Sequence, residues 1–570
     1  MKINGYEIAL SEAELDDIIN NKMRKVELIG RDFEGYKNLT EGNKKALEHL
    51  VAAARCFTDV ALEQDHELNL SMKKALEEAA PASSHAAKAL KLFTSFQGVE
   101  GHNGIDLEPV EIFRGIKGGK GRNFYPADLG VEEFHSIISR MLDEGKTEEV
   151  RKILSPRTMV RRSGSELKAI DYTEYFADAF SKAANELEVA AHYTTDGDFK
   201  DYLGWQAQAL LQNNEDMDML ADKHWAVLQN GNQLEFTLGR ESYDDELTPT
   251  VYDNPELLRK LEVGNIEVNP KDSLGVRVGI INKEGTDLIL RFKEHMPELA
   301  RLMPYADKYH QSVSAGEELK QTMVDADIVA LTGDYARCRG AITTAQNLPN
   351  NDKLAVKTGG GRRNVYHRQV RQSIDRERNK KLLEKLVSPE LHKYFDVEAD
   401  HLFVIGHENG HSLGPDNEYQ RALGLCKSTI EEEKADVVSI SFMPEYVKAG
   451  VIDAEMLKKI YTTWVAFRLF LKAQPLEAHR VGELIHFNFL LDRGAFYFDA
   501  ENKLKIDFDK FHDVVFAMLA ETVEVQLSKS SEKAKAFIDK YTNWGKYSRH
   551  IAEVQKELGV RNYIWIEDHF

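Results

Sequence analysis

The sequence predicts a mostly helical α+β protein with two lobes and a cleft between them. Its 570 residues are too many for one compact core. The first two hundred residues and those after about 375 have helical periodicity and are rich in Ala, Leu, Glu and Lys. Between about 230 and 375, short β-branched runs alternate with Gly, Pro, Asn and Asp, which is typical of strands and turns. We therefore expect a helical lobe beside a mixed lobe that contains a small sheet or open barrel.

The individual elements follow from the pattern along the chain. Helices are expected from Glu41 to Leu92 and from Ala169 to Leu210, and strands at 234–238, 276–281 and 328–331. Helical periodicity then continues to about residue 556. The predicted segments are the first part of the mixed lobe at 1–284, a helical segment of the second lobe at 285–324, a strand-rich return to the mixed lobe at 325–372, the main helical lobe at 373–535 and a C-terminal segment at 536–570.

Composition restricts the classes of partner. Apolar residues make up 42% of the chain and charged residues 29%, which is ordinary for a globular protein. The formal charge of -20 argues against nucleic acid as a partner, because polyanion binding needs concentrated Lys and Arg. The negative charge either steers basic peptides toward a cleft or simply keeps the surface soluble.

The cysteines and the apolar runs indicate in which cellular compartment the protein is found. Three cysteines, at Cys56, Cys338 and Cys426, lie far apart and form neither a disulfide framework nor a CxxC metal site. The N-terminal stretch has no apolar signal region, and no run approaches the roughly 18 apolar residues of a transmembrane helix. The expectation is a cytoplasmic protein without a membrane partner, either a monomer or a homodimer.

His407-Glu408-Asn409-Gly410-His411 forms the zinc-hydrolase pattern HExxH. On a helix, positions i and i+4 lie on one face, so both imidazoles can reach one metal ion. Glu408 would then stand beside a metal-bound water as general base. The alternative is a chance pattern among the 19 histidines of the chain. Gly406 and Gly410 each cost a helix roughly 1 kcal/mol relative to Ala, which suggests close approach by a neighbouring helix or a substrate.

An acidic run begins 20 residues after His411, at Glu431, and can supply a third ligand. Glu432 and Asp436 are four apart and share a helix face, so one can bind zinc while the other accepts a hydrogen bond from a ligand imidazole. Glu418 is a weaker candidate for the third ligand. The alternative explanation of the acids is a capping box that begins at Thr429.

The paired motifs resemble those of the dipeptidyl peptidase III family. That family has HExxGH, or HExxH in some bacterial members, followed by EExRAE or EExKAD. Further stretches that resemble the family are Asn123-Phe124-Tyr125-Pro126-Ala127-Asp128 and Asn347-Leu348-Pro349-Asn350-Asn351-Asp352. The resemblance extends from about residue 120 to 500. It implies a two-lobed fold with a helical zinc lobe and a mixed lobe, and short peptides as substrates.

The resemblance also implies roles for particular residues. The zinc ligands would be His407, His411 and Glu432, with Glu408 as the base. Glu431 and Asp436 would orient the ligand histidines. Asn347 and Asn350 would hold the N-terminal end of the substrate, although turn residues around Pro349 explain them equally well. His479 would stabilise the transition state, or else would cap or fill a helix face. The family's substrate-polarising tyrosine falls in the stretch 234–243. The commonest family motif has one more residue between its histidines, so the geometry around Glu408 is expected to differ here.

The predicted function is a zinc-dependent exopeptidase that binds one zinc ion and releases dipeptides from the N-termini of short peptides. The predicted chemistry is attack of an activated water on a peptide carbonyl, with Glu408 as the proton carrier. Two alternatives remain from the sequence. One is a zinc aminopeptidase or endopeptidase that uses the same site, and the other is a catalytically weak peptide-binding protein that retains the metal.

Overall fold

A computed structural model of the chain describes most of its 570 residues. The described ranges are 1–103, 108–212, 215–228, 231–242, 244–311, 313, 323–337, 345–348, 363–475, 477–559, 561 and 563–570. Among the predicted site residues, Asn350 lies outside these ranges, as does Tyr243 in the stretch that was expected to contain the family tyrosine.

Helices dominate the described ranges, as the sequence predicts. The helices of the first half are Glu12–Asp17, Glu34–Lys37, Glu41–Asp65, Asn69–Ala79, Ser84–Phe96, Val131–Asp143, Thr147–Ile153, Tyr172–Tyr175, Ala177–Tyr193, Gly197–Leu211, Glu215–Ala226, Pro255–Val263, Lys283–Lys293 and Met296–Leu302. Those of the second half are Arg368–Gln372, Arg376–Leu386, Val397–Gly410, Asn417–Arg421, Lys427–Lys448, Ala454–Thr463, Ala478–Asp492, Phe508–Leu527, Ser531–Tyr541 and Lys546–Leu558. None of the helices in the described ranges has the length and apolar run needed to cross a bilayer.

The strands form one larger sheet and several two-stranded ribbons. In chain order they are β1 (Lys2–Ile3), β2 (Tyr6–Glu7), β3 (Met23–Glu27), β4 (Glu100–His102), β5 (Pro109–Glu111), β6 (Thr158–Ser163), β7 (Glu166–Asp171), β8 (Leu234–Glu241), β9 (Ser273–Asn282), β10 (Val324–Gly333), β11 (Ala345–Leu348), β12 (Arg363–His367), β13 (Phe496–Phe498), β14 (Leu504–Ile506) and β15 (Tyr563–Glu567). The five-stranded sheet has the order β11-β12-β10-β9-β8 and is mixed, because β10 and β12 run parallel while the other pairs are antiparallel. It contains the three predicted strands. The helix expected from Ala169 begins later, because Ala169 lies in β7 and pairs with Val160.

Two separate hydrophobic cores correspond to two lobes. The first core contains the apolar side chains of β8, β9 and β10, and the long helix Glu41–Asp65 packs across β9 and β10. The second core is built almost wholly from helices of the second half of the chain. Tyr563 and Ile564 of β15 return to the first core, where β15 pairs with β3. The exact lobe boundaries given above stay a prediction.

Strand β12 lies where the two cores meet. Side chains alternate across a strand. Accordingly, Val365 is buried in the first core and the adjacent Tyr366 in the second. The ring of Tyr366 lies edge-on to the imidazole of His401, with centroids 5.7 Å apart. Because His401 belongs to the helix Val397–Gly410, the sheet packs directly against the helix that contains the HExxH motif.

Candidate metal centre

The HExxH helix, Val397–Gly410, places its two histidines on one face. It begins at the N-cap Asp396, whose side chain accepts a hydrogen bond from the backbone N–H of Glu398. His407 lies in its last turn and His411 at its C-cap. Their Nε2 atoms are 3.1 Å apart, and the two rings lie nearly perpendicular. The regular i, i+4 spacing therefore directs both nitrogens to one point without a distortion of the helix.

The acidic-motif helix, Lys427–Lys448, supplies the carboxylate of the cluster. Glu432 Oε2 lies 3.5 Å from His407 Nε2 and 3.7 Å from His411 Nε2. Glu418, the weaker candidate for third ligand, instead pairs with Lys529 at the surface. This helix begins at Lys427, and its N-cap Cys426 makes no side-chain cap. Thr429 therefore does not form the capping box that was the alternative explanation of the acids.

The two glycines of the HExxH helix are explained by the close approach of the acidic-motif helix. A Cβ added at Gly410 would lie 2.7 Å from the carbonyl oxygen of Ala435, and one at Gly406 would lie 2.3 Å from Ser439 Oγ. Of the two alternatives that the sequence left, a neighbouring helix or a substrate, the first is confirmed. The absence of these side chains lets Glu432 come within reach of both imidazoles.

The donor set fits a zinc ion. His407 Nδ1 lies 2.6 Å from Asp436 Oδ1, and His411 Nδ1 lies 3.0 Å from Glu431 Oε1. Each imidazole donates its Nδ1–H to a carboxylate, which leaves both Nε2 lone pairs directed into the shared space. Glu432 Oε2 is buried and accepts no hydrogen bond from a described residue. Ligands about 2.1 Å from a tetrahedral zinc lie about 3.4 Å from one another, close to the separations found here.

The charges around the cluster also favour a cation. Burial lowers the pKa of His407, but its hydrogen bond to Asp436 and the negative charges of Asp436 and Glu432 outweigh burial and raise that pKa well above its ordinary value. Burial raises the pKa of Glu432, and the nearby charges of His479 and His411 reverse this and lower it. The cluster therefore contains ionised carboxylates that need positive charge beside them.

Glu408 lies on the same helix, between the two histidines, and only 7% of it is exposed. Burial raises the pKa of its carboxyl group, and the negative charge of Glu432 adds to the shift. Burial, and after it the negative charge of Glu408, raises the pKa of Tyr366 in β12. A carboxylate with a raised pKa beside a metal site can take a proton and pass it on.

His479 lies at the start of another helix of the same lobe, Ala478–Asp492. The N-cap Glu477 accepts hydrogen bonds from the backbone N–H groups of His479 and Arg480. The Nδ1 atom of His479 is 3.2 Å from Glu432 Oε2, while 61% of its side chain is exposed. This imidazole therefore neither caps nor fills a helix face, which were the alternatives, and it can reach a molecule bound beside the cluster.

Of the two predicted asparagines, the structure describes only the backbone of Asn347. It lies in the short strand β11, where its partner across the ladder is Asn364 of β12. Strand β11 is at one end of the sheet and packs against the HExxH helix. The structure thus brings β11 to the HExxH helix, and the interactions of the Asn347 side chain stay a prediction.

Three residues that the sequence did not single out hold Glu431 in place. Lys434 Nζ is 3.0 Å from Glu431 Oε1 and also donates a hydrogen bond to the carbonyl of Leu413. Gln420 and Gln526 donate to Glu431 Oε2 over 2.6 and 3.4 Å. Lys434 is part of the acidic motif, so its role was open to inference. The two glutamines have no sequence signal, because they come from other helices.

These features define a two-lobed α+β protein with a candidate metal centre on its helical lobe. The structure of dipeptidyl peptidase III from Caldithrix abyssi matches with a TM-score of 0.78 at 24% identity, covering 97% of this chain and 98% of that one. The structure of dipeptidyl peptidase III from Corallococcus sp. strain EGB matches with a TM-score of 0.77 at 20% identity, covering 98% and 97%. The chain has the dipeptidyl peptidase III fold, which confirms the fold that its motifs implied.

No family model matches the sequence, but a comparison with curated proteins finds a relative. Nudix hydrolase 3 of Arabidopsis thaliana is 23% identical to this chain in an alignment of 561 residues. The alignment covers 88% of this chain and 68% of that protein. The similarity therefore extends across both lobes.

Proposed function

We propose that this protein is a zinc-dependent exopeptidase that releases dipeptides from the N-termini of short peptides. The observation that supports it most directly is the convergence of His407 Nε2, His411 Nε2 and Glu432 Oε2, each with its ligand atom within 4.8 Å of the others. The names of the two structural relatives support peptide as the substrate class. The name of the Arabidopsis relative is not carried over, since that similarity is 23% and leaves part of that protein uncovered.

In this proposal, each side chain of the site has one task. His407, His411 and Glu432 hold the zinc ion, while Asp436 and Glu431 orient the two imidazoles. Zinc supplies a Lewis acid that lowers the pKa of a water molecule toward neutrality.

Proton transfer and charge stabilisation then fall to the chain itself. Glu408 accepts the proton of the attacking water and delivers it to the nitrogen of the departing amine. His479, exposed beside Glu432, donates a hydrogen bond to the oxyanion that forms on the scissile carbonyl.

The end strand β11 is a suitable platform for an extended peptide. Among the described residues, β11 pairs only with β12, so its outer edge offers backbone groups to a bound strand. Because β11 packs against the HExxH helix, a peptide paired with it would pass the metal centre. Asn347 in β11, together with Asn350, would hold the free α-amine of the substrate.

The test is the variant Glu408→Gln. It should retain about one zinc per chain, measured by atomic absorption, and should lose release of dipeptides from a short peptide, measured by mass spectrometry. Glu418→Gln is the matched control, because Glu418 pairs with Lys529 at the surface, and it should keep both properties. Hydrolysis by Glu408→Gln at the original rate would refute the role of Glu408.

The products separate the alternatives. Single amino acids would indicate an aminopeptidase, and internal fragments an endopeptidase. Zinc-loaded protein that binds peptides but releases nothing would indicate a binding protein. We propose that the enzyme is cytoplasmic, because its three cysteines are far apart in the sequence, and that it is a monomer or a homodimer.

A further inference from the structure

A cavity of about 270 Å³ lies on the helical lobe, at the start of the HExxH helix. It is bounded by the helix Arg376–Leu386 and by the turn that leads into the HExxH helix. Among the side chains that line it are Arg376, Lys380, Leu383, Phe395, Asp396 and Glu398. We call this cavity the helix-start crevice. The HExxH helix has 14 residues and is therefore about 20 Å long, and His407 lies in its last turn. A ligand in the crevice would thus be remote from the metal centre.

The first wall of the helix-start crevice has two cations without an anionic partner. Arg376 and Lys380 are four residues apart, so both side chains lie on the same face of their helix, and both are exposed. Within the part of the chain that the structure describes, neither has a carboxylate within 4.0 Å or a side-chain hydrogen bond. In contrast, Lys381 of the same helix lies 4.0 Å from Glu377. Arg376 and Lys380 are therefore both available to an anion.

The second wall has one carboxylate without a cationic partner. The carboxylate of Asp396 is already occupied, because it accepts hydrogen bonds of 3.0 Å from Lys459 Nζ and from the backbone N–H of Glu398. The side chain of Glu398 is exposed, and no basic group of a described residue lies within 4.0 Å of it. Glu398 and the two cations therefore line one cavity without pairing with each other. A molecule that has both charges can contact both walls.

The helix-start crevice also has apolar surface. Leu383 follows Lys380 by three residues, continues the same helix face and is only 7% exposed. Phe395 is half-buried, and its ring lies edge-on to that of Phe467, with centroids 6.4 Å apart. An apolar side chain that binds here is removed from water, which favours binding. Sites for drug-sized ligands measure about 300–1,000 Å³, so the cavity is suited to a smaller molecule.

Two free cations, one free carboxylate and an apolar surface are complementary to an amino acid. An α-carboxylate would pair with Arg376 and Lys380, because a guanidinium group binds a carboxylate through two parallel hydrogen bonds. An α-ammonium group would pair with Glu398, and an apolar side chain would pack on Leu383 and Phe395. We propose that the helix-start crevice binds a small zwitterion with an apolar side chain, either a free amino acid or a dipeptide. This binding does not depend on the function proposed above.

The experiment measures the affinity of the zinc-loaded full chain for four small probes by calorimetry. The probes are L-phenylalanine, 3-phenylpropionate without the amine, phenethylamine without the carboxylate, and glycine without the apolar side chain. Phenylalanine should bind about fivefold more tightly than each of the others, as expected when one exposed ion pair or the apolar contact is lost. Equal binding of phenylalanine and either singly charged probe would overturn the assignment of a zwitterion.

Two variants locate the site. Arg376→Gln should weaken phenylalanine about fivefold without changing the affinity for phenethylamine. Glu398→Gln should weaken phenylalanine by a similar factor without changing the affinity for 3-phenylpropionate. Both substituted side chains are exposed, so both variants should fold normally. Lys381→Met is the matched control, because Lys381 lies in the same helix, is 58% exposed and pairs with Glu377, and it should bind phenylalanine normally.

Glycylphenylalanine distinguishes the two ligand classes. Tighter binding than that of phenylalanine would identify a dipeptide as the ligand, and weaker binding a free amino acid. The proposal fails if the unsubstituted protein binds neither compound at millimolar concentration. It also fails if Arg376→Gln and Glu398→Gln both bind phenylalanine as tightly as the unsubstituted protein, since the ligand would then occupy the metal centre or another place.

Discussion

Asp436 accepts a hydrogen bond of 2.6 Å from Nδ1 of His407 across the interface between two helices. The same carboxylate lies 3.8 Å from Nδ1 of His486, a residue with no exposed surface. Burial raises the pKa of Asp436, but its hydrogen bond to His407 outweighs burial and lowers it. Asp436 therefore remains ionised and fixes both the tautomer and the orientation of His407.

The substitution Asp436→Asn should weaken zinc binding by about 10- to 100-fold, because an amide holds the imidazole less firmly and without negative charge. Zinc affinity is measured by competition with a chromogenic chelator. Asp492→Asn is the control, since Asp492 is exposed at the end of the helix Ala478–Asp492, and it should bind zinc normally. Unchanged affinity in Asp436→Asn would show that Asp436 does not support the metal centre.

Gly410→Ala should destabilise the helical lobe and weaken zinc binding together. The new Cβ would lie 2.7 Å from the carbonyl oxygen and 3.0 Å from the Cα of Ala435, both of which are backbone atoms of a packed helix. Overpacking of this kind costs about 1–3 kcal/mol and would move Glu432 away from the histidines. The melting temperature and the zinc affinity report the two effects.

Gly482→Ala is the matched control for Gly410→Ala. Gly482 also lies in a helix and faces the same acidic-motif helix, but its added Cβ would be 3.5 Å from Glu433 Cα, an ordinary contact. Alanine is favoured over glycine inside a helix by roughly 1 kcal/mol. Gly482→Ala should therefore melt at the original temperature or higher. Equal destabilisation by the two substitutions would contradict the close-approach explanation.

His479→Ala should lower kcat for dipeptide release by about 100-fold while the zinc content stays at one per chain. The reason is that His479 contacts Glu432 but is 61% exposed, so it is placed to bind the reacting carbonyl rather than to hold the metal. His479→Gln retains a donor and should recover part of the activity. Loss of zinc together with activity would instead make His479 a ligand.

The sequence predicted the metal cluster more fully than the rest of the site, for a physical reason. The spacing of His407 and His411 is a property of one helix, and helical geometry fixes it before any tertiary contact forms. The placement of Glu432 depends on a second helix. In the sequence, only Gly406 and Gly410 indicate the close contact between the two helices.

The support of Glu431 could not be predicted from the sequence. Gln420 and Gln526, which donate hydrogen bonds to Glu431, lie on other helices, and only packing between helices brings them to it. Two- and four-residue periodicities carry no information about such contacts.

Asp272 in the mixed lobe gives a pH-dependent prediction that is independent of the metal. Burial raises the pKa of its carboxyl group from 3.8 to about 6, against the opposing charges of Arg240, Arg157 and Lys271. Between about pH 4 and 6 the folded protein therefore holds a proton that the unfolded chain has lost. The contribution of Asp272 to stability falls as the pH rises through this window, and the full cost of a half-buried charge is present above pH 6.

Asp272→Asn removes that cost, because asparagine cannot ionise. At pH 7.5 the variant should be more stable to urea than the unsubstituted protein, by about 1–3 kcal/mol, and the difference should shrink at pH 4.5. Asp201→Asn, at an exposed position of the same lobe, should show no difference at either pH. An equal stability difference for Asp272→Asn at both pH values would contradict the raised pKa of this carboxyl group. The effect of the substitution would then come from side-chain shape or hydrogen bonding alone.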